Sequence, residues 1–297
     1  MRGLEHLLAA TDLSHAAMNA AHRAAGISKL TGASLDLFHA VNLSGLDRLR
    51  RMAPGIPADL DERLTAQPLE EMRRLAADLS ERHGAAVGVR VGIGPASVQI
   101  DAQAAALPAD LMVLGDRGAG ALSRLVLGST AARMAETASC SVLIVKRPPS
   151  EPYRSVLVPV DFSSNSLPAL RTALAVAPEC RIALFHAYGV PFEGKLRAAG
   201  IREELLEQYR AAERTATFAD MRRLCQAAGL AEHAASLVAL RGPVLLRILE
   251  LEKERNCDLI VMGRHGEGTP LERVFLASVT KQVLAQSQAD VLISAGE

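Results

Sequence analysis

Two short clusters in the first half of the chain combine residue types suited to holding a phosphorylated ligand. Gly115-Asp116-Arg117-Gly118 is followed, after nine residues, by Gly128-Ser129-Thr130. Glycine has no Cβ, so its backbone N–H can come close to an anion, and hydroxyl residues opening a helix add donors at an end that attracts negative charge. Further upstream, Asp12-Leu13-Ser14 closes an apolar run. Each feature also has a plainer use. Glycines after a strand serve as turn residues, Asp12 or Ser14 can cap a helix, Ser129 can do the same, and Arg117 can be a solvated charge. His39 and His186 end apolar runs and are expected to be hydrogen-bonded structural histidines, not catalytic bases.

These clusters need a scaffold that brings them together, and an internal repeat supplies one. The segment from His6 to Ser14 reads against Ser155 to Ser163, each an apolar run ending in Asp-x-Ser. In the same order, Leu35-Asp-Leu-Phe-His39-Ala matches Ile182-Ala-Leu-Phe-His186-Ala, and Gly94-Pro95 corresponds to Gly242-Pro243. Ala109 to Gly115 matches Cys257 to Gly263, and Ser141 to Val145 matches Asp290 to Ser294. The matched blocks are short, continuous runs of Val, Ile and Leu, the pattern of strands buried on both faces of a parallel sheet. Between them, Ala16 to Leu30, Asp59 to Arg82, Ala96 to Ala106, Ser129 to Thr137 and Glu203 to Ala228 have helical spacing. Alternating strand and helix predicts an α/β chain of two tandem, doubly wound, five-stranded parallel sheets. In such a sheet, ligands lie at the carboxyl ends of strands where the strand order reverses, so the loop after the fourth strand faces the Asp12 loop. Prolines within Lys146 to Pro152 mark the boundary, giving expected domains 1–147 and 152–297.

Composition narrows the function. With 297 residues, 49% of them hydrophobic, the chain can bury two ordinary cores. Lys plus Arg equals Asp plus Glu at 33 each, and aromatics are 3%, so neither the basic field nor the stacking surface of a nucleic-acid binder is present. The apolar run at the N-terminus is too short for a signal-peptide core or a membrane span, so a cytoplasmic protein with no membrane partner is expected. Cys140, Cys180, Cys225 and Cys257 show neither CxxC pairing nor a neighbouring His at metal spacing, and are expected as reduced thiols used as small hydrophobes.

The full spacing Gly-x-x-Gly-x9-Gly-Ser, with its Asp-x-Ser strand end, resembles the nucleotide motif of the universal stress protein family, and the resemblance spans the whole chain as two family domains. It implies an adenine nucleotide α-hydrolase-like, Rossmann-like fold that binds ATP, ADP or AMP. By the resemblance, Asp12 lies near the adenosine moiety, the Val41 backbone touches adenine, Leu114 and Gly115 lie near the ribose, and Arg117, Gly118, Gly128, Ser129 and Thr130 hold phosphates. Ala10 stands where the family often has the proline that the second copy keeps as Pro159. Mg2+ is expected with ATP on general grounds, with no dedicated carboxylate ligand standing out beyond Asp12 or Asp116. Family members dimerise through their last strands, so Val142 to Val145 is expected to pair with Val291 to Ile293 as an intramolecular pseudo-dimer, with a homodimer as a further option.

The second copy keeps Asp161, Gly263, Gly266 and Ser278, but Ala277 replaces the phosphate-loop glycine and the loop gains a residue around Thr269-Pro270. A Cβ and a proline there predict a weak or empty second site. The leading expectation is a nucleotide-binding stress-response regulator or sensor. The alternatives are an interaction module that binds no nucleotide, and a weak ATPase. No Ser-Gly-Gly-x-Asp-Ser loop or His-Ile-Gly-His motif supports an enzyme of the related scaffold, and no residue stands out as a general base.

Overall fold

The computed structural model describes residues 3–46, 50, 52, 57, 59–118, 127–149, 151–189, 193–231, 233–264 and 279–296. The chain forms two compact units, one of residues 1–152 with 290–295 and one of residues 153–289 with 296–297.

In the first unit, β1 (His6–Ala10), β2 (Ser34–Val41), β3 (Val87–Ile93), β4 (Leu111–Gly115) and β5 (Ser141–Val145) lie in the order β3-β2-β1-β4-β5. All four pairings are parallel. The order reverses between β1 and β4, which opens a crevice at their carboxyl ends. α1 (His15–Thr31), α2 (Leu60–His83), α3 (Ala96–Ala106) and α4 (Ser129–Thr137) connect the strands, within one or two residues of the helices expected from spacing. Burial follows position: β4 and β5 are buried almost throughout, whereas β3 alternates between half-buried and exposed residues. Continuous apolar runs therefore mark central strands, and alternation marks an edge.

The last strand of the chain, β10 (Asp290–Ser294), belongs to this first unit and runs antiparallel to β5. Its register, Ile293 opposite Val142, Leu292 opposite Leu143 and Val291 opposite Ile144, is the intramolecular pairing expected from the sequence. A buried polar knot fixes it. Asp290, fully buried, accepts the N–H groups of Lys146 at 2.8 Å and Arg147 at 3.1 Å through Oδ1, and its Oδ2 lies 3.4 Å from Arg23 Nε. Arg23 also donates to the Glu151 carbonyl at 2.6 Å.

In the second unit, β6 (Ser155–Pro159), β7 (Arg181–Tyr188), β8 (Ala235–Arg241) and β9 (Leu259–Gly263) lie in the order β9-β6-β7-β8, again all parallel. Its helices are α5 (Ser166–Val176), α6 (Glu193–Ala198), α7 (Glu203–Ala227) and α8 (Val244–Glu254), followed by helical residues 279–286. The repeat extends to local detail. Asp110 accepts the N–H groups that precede and open β1, and Asp258 does the same for β6.

Cys140, Cys225 and Cys257 are buried and Cys180 half-buried, all free thiols. Burial, with the Asp258 carboxylate adding to it, pushes the Cys180 thiol up to about 11. Among the described residues, no helix is long and apolar enough to cross a membrane.

Candidate functional site

The crevice of the first unit begins at the loop between β1 and α1. Leu13 is left-handed at φ 64°, a conformation that disfavours a side chain, and the loop is held by its own polar groups. Leu13 N–H donates to Thr11 Oγ1 at 3.0 Å, and Ser14 N–H donates to Asp12 Oδ1 at 3.1 Å. Ser14 is the N-cap of α1, its Oγ accepting Ala17 N–H at 3.3 Å. Asp12 is exposed at the mouth of the crevice. The second unit repeats the turn, with Phe162 at φ 61° and Ser163 N–H donating to Asp161 Oδ1 at 3.0 Å. His39 Nδ1–H donates to the Thr11 carbonyl at 2.7 Å, and His186 Nδ1–H to the Val160 carbonyl at 2.8 Å. A carbonyl only accepts, so both rings carry the proton on Nδ1 and serve as props for the loop.

The opposite wall is built by the residues after β4. Gly128 N–H donates to the Asp116 carbonyl at 2.8 Å, which ties the end of the glycine-rich segment to its beginning. Gly128, not Ser129, is the N-cap of α4, and no side chain caps that helix. The first-turn amides therefore have neither an intrahelical acceptor nor a cap, and the hydroxyls of Ser129 and Thr130 stand beside them.

The glycines have tight neighbours within the protein itself. A Cβ at Gly115 would sit 2.7 Å from the Ala16 carbonyl carbon, and one at Gly118 would sit 2.6 Å from Asp12 Oδ2. At Gly128 the same atom would meet Asp116 O at 3.3 Å. Arg117 Nε lies 2.9 Å from Asp116 Oδ2, although not in hydrogen-bond geometry.

A cavity of about 530 Å³ joins these parts, within the size range of small-molecule sites. Ala10, Asp12, Leu114, Gly115, Arg117, Gly118, Gly128, Ser129 and Thr130 all line it. Val41 does not; it ends β2, half-buried, with its carbonyl accepting Gly94 N–H at 3.0 Å. Sequence reasoning missed Thr11, Ala17, Phe38, Ala40, Ala96, Ile100, Leu127 and Ala131, most of them apolar. Phe38 and Ala40 lie in the repeated Phe-His-Ala block, and Ala96 and Ile100 are one turn apart behind Gly94-Pro95, so a signal existed for these four.

The equivalent crevice of the second unit measures about 130 Å³. Asn165 and Ser166 stand there in place of Ala16 and Ala17. Ser163 Oγ and Ser166 Oγ donate to Asp161 Oδ1 at 2.6 and 3.0 Å, engaging the carboxylate locally. Phe162 stacks on His186 with centroids 4.5 Å apart. Gly266, Thr269, Pro270, Ala277 and Ser278, on which the expected loss of the second phosphate loop rests, lie outside the described residues. Among those described, no group of three or more His, Cys, Asp or Glu side chains could hold a metal ion.

Comparison with known proteins follows the same two-part division. The family model for universal stress proteins matches residues 3–146 and 152–294. The chain belongs to the universal stress protein family. A universal stress protein of Methanocaldococcus jannaschii is 31% identical over 144 residues, covering 48% of this chain and 81% of that protein. Another, from Mycobacterium tuberculosis, is 27% identical over 192 residues, covering 63% of this chain and 62% of its relative. Among solved structures, a universal stress protein from Archaeoglobus fulgidus superposes with a TM-score of 0.69 at 19% identity, covering 98% of both chains. A functionally unknown protein from Pseudomonas aeruginosa gives 0.65 at 16% identity, covering 99% of this chain and 93% of its own. At these identities the structural likeness of this universal stress protein to its neighbours concerns the fold.

Proposed function

We propose that the first unit binds an adenine nucleotide, ATP, ADP or AMP, and that the chain acts as a nucleotide-binding regulator or sensor and not as an enzyme. The observation that carries this reading is the polarity of the first cleft. One end is apolar, with Phe38, Ala40 and Ile100, and suits a flat base; the other has the uncapped start of α4, two hydroxyls and Arg117, and suits phosphate. Mg2+ would enter with a polyphosphate, next to Asp12 and Asp116.

Calorimetric titration of Mg-ATP into nucleotide-stripped protein tests the reading. A dissociation constant near micromolar corresponds to about 8 kcal/mol of binding free energy. One site per chain is expected. Gly128→Leu, which would push against Asp116 and Arg117, and Ala40→Phe, which fills the apolar end, should each abolish the heat. No heat from the parent protein, and no thermal shift with ATP, ADP or AMP, would instead support a module that works through protein contacts alone. The second unit favours that role for its own half, because its crevice has about a quarter of the volume of the first.

A further inference from the structure

Away from the cleft, a chain of titratable side chains spans the packing of α1 on α2. His22 Nδ1 on α1 lies 3.4 Å from Nε2 of His83, the last residue of α2. The ring centroids are 5.7 Å apart and the planes are inclined by 57°. At that separation the two nitrogens face each other along the line joining the rings, which is the arrangement of an N–H···N contact and not of two ligands converging on a metal. On its far side, His22 Nε2 lies 3.7 Å from Asp78 Oδ2, and Arg82 Nε donates to Asp78 Oδ1 at 2.7 Å.

The proton count follows from these directions. With Nε2–H of His22 turned to the Asp78 carboxylate, its Nδ1 is an acceptor, and Nε2–H of His83 supplies the proton between the rings. A first added proton on His22 Nδ1, with the proton of His83 passing to its outward Nδ1, leaves one proton between the rings and the contact intact. A second, on His83 Nε2, sets two N–H donors and two cations face to face.

We propose that Asp78, His22 and His83 form a proton-sensitive clasp between α1 and α2, closed while one proton lies between the rings and opened when both imidazoles are charged. It makes the packing of α2 on the first unit responsive to mild acid, independently of any ligand in the cleft.

The surroundings support this direction. His22 is held below the ordinary histidine value of 6.5 first by burial and then by Arg82, with Asp78 opposing. His83 is lowered by burial, by the charge of His22, by Lys29 on α1 and by Arg82, again with Asp78 opposing. On the strands packed against α2, Asp36 and Arg90 pair with each other at 2.8 Å. Because both folded values are depressed, the unfolded chain binds more protons just below 6.5. The contribution of the clasp is therefore complete above that pH and is lost as pH falls through the folded values.

Histidine ring resonances of the full chain, followed by NMR from about pH 7.5 to about pH 5, test the proposal. Two coupled steps below the ordinary value are expected, and His22→Gln should move the remaining His83 step upward. Protection against hydrogen exchange along α2, taken relative to the intrinsic rate at each pH, should fall several-fold at the acid end in the parent protein and stay flat in the His22→Gln, His83→Gln double variant. Independent titration of the two rings at the ordinary value, a His83 step indifferent to His22→Gln, or unchanged protection in α2 once both rings are charged would each overturn it. The titration is read on the unsubstituted protein, so it tests the clasp even if a variant fails to fold.

Discussion

The glycines at Gly115, Gly118 and Gly128 look alike in sequence but differ in what lies beside them. Gly115 is pressed against the backbone of α1, which cannot yield. Gly115→Ala should therefore cost about 1–3 kcal/mol of stability in denaturant titrations, as overpacking does elsewhere. The neighbour of Gly118 is the exposed Asp12 carboxylate, which can swing away. Gly118→Ala should leave stability within about 0.5 kcal/mol while displacing Asp12 from the cleft and weakening nucleotide binding by calorimetry. Arg117 is already paired with Asp116, so part of its charge is neutralised within the protein. Arg117→Gln is expected to lower nucleotide affinity several-fold and to leave the denaturation midpoint nearly unchanged, since a half-exposed pair contributes about 0–1 kcal/mol.

Among the elements, β10 depends on the most specific arrangement. Its apolar residues match β5, but the register is pinned by Asp290, whose carboxylate answers two backbone amides and Arg23 in a dry site. Asp290→Ala leaves the Arg23 charge, only 9% exposed, without this partner, and should cost about 3–5 kcal/mol with faster hydrogen exchange in β10. Replacing both, Arg23→Met with Asp290→Leu, should recover part of that loss, because the desolvation cost then disappears for both groups. α4 starts without a capping side chain, as α2, α3, α5, α7 and α8 also do.

For the whole molecule, the duplication has diverged into unequal halves. Both keep the left-handed residue after the first strand, the histidine prop and the aspartate at the fourth strand, yet the described cleft of the first is about 530 Å³ and that of the second about 130 Å³. Mg-ATP at about a hundredfold excess over its dissociation constant should add about 2.7 kcal/mol to the stability of the first unit, read by hydrogen exchange, and leave the second unchanged. The division at residues 147 and 152 stands as a proposal about folding units, and β10 shapes its test. A fragment of residues 1–152 lacks β10, so it presents an unpaired edge along β5. It should self-associate in sedimentation experiments, whereas the full chain should not do so through that edge.

The repeat, the α/β class, the central strands and about half of the cleft lining could be read from the sequence, because they rest on local periodicity and on glycine and hydroxyl residues at set spacings. Phe38, Ala40, Ala96 and Ile100 were missed as lining because apolar residues on a strand and a helix look like core until the sheet order shows which of them face the crevice. A weak or empty second site was expected from its phosphate loop, which lies outside the described residues; among those described, Asn165, Ser166 and the hydrogen-bonded Asp161 line a smaller crevice. The Arg23–Asp290 pair and the His22–His83 contact join residues far apart in the chain. Sequence periodicity says which face of an element is apolar; only packing decides which polar groups meet across it, and there charge and proton count decide what the contact does.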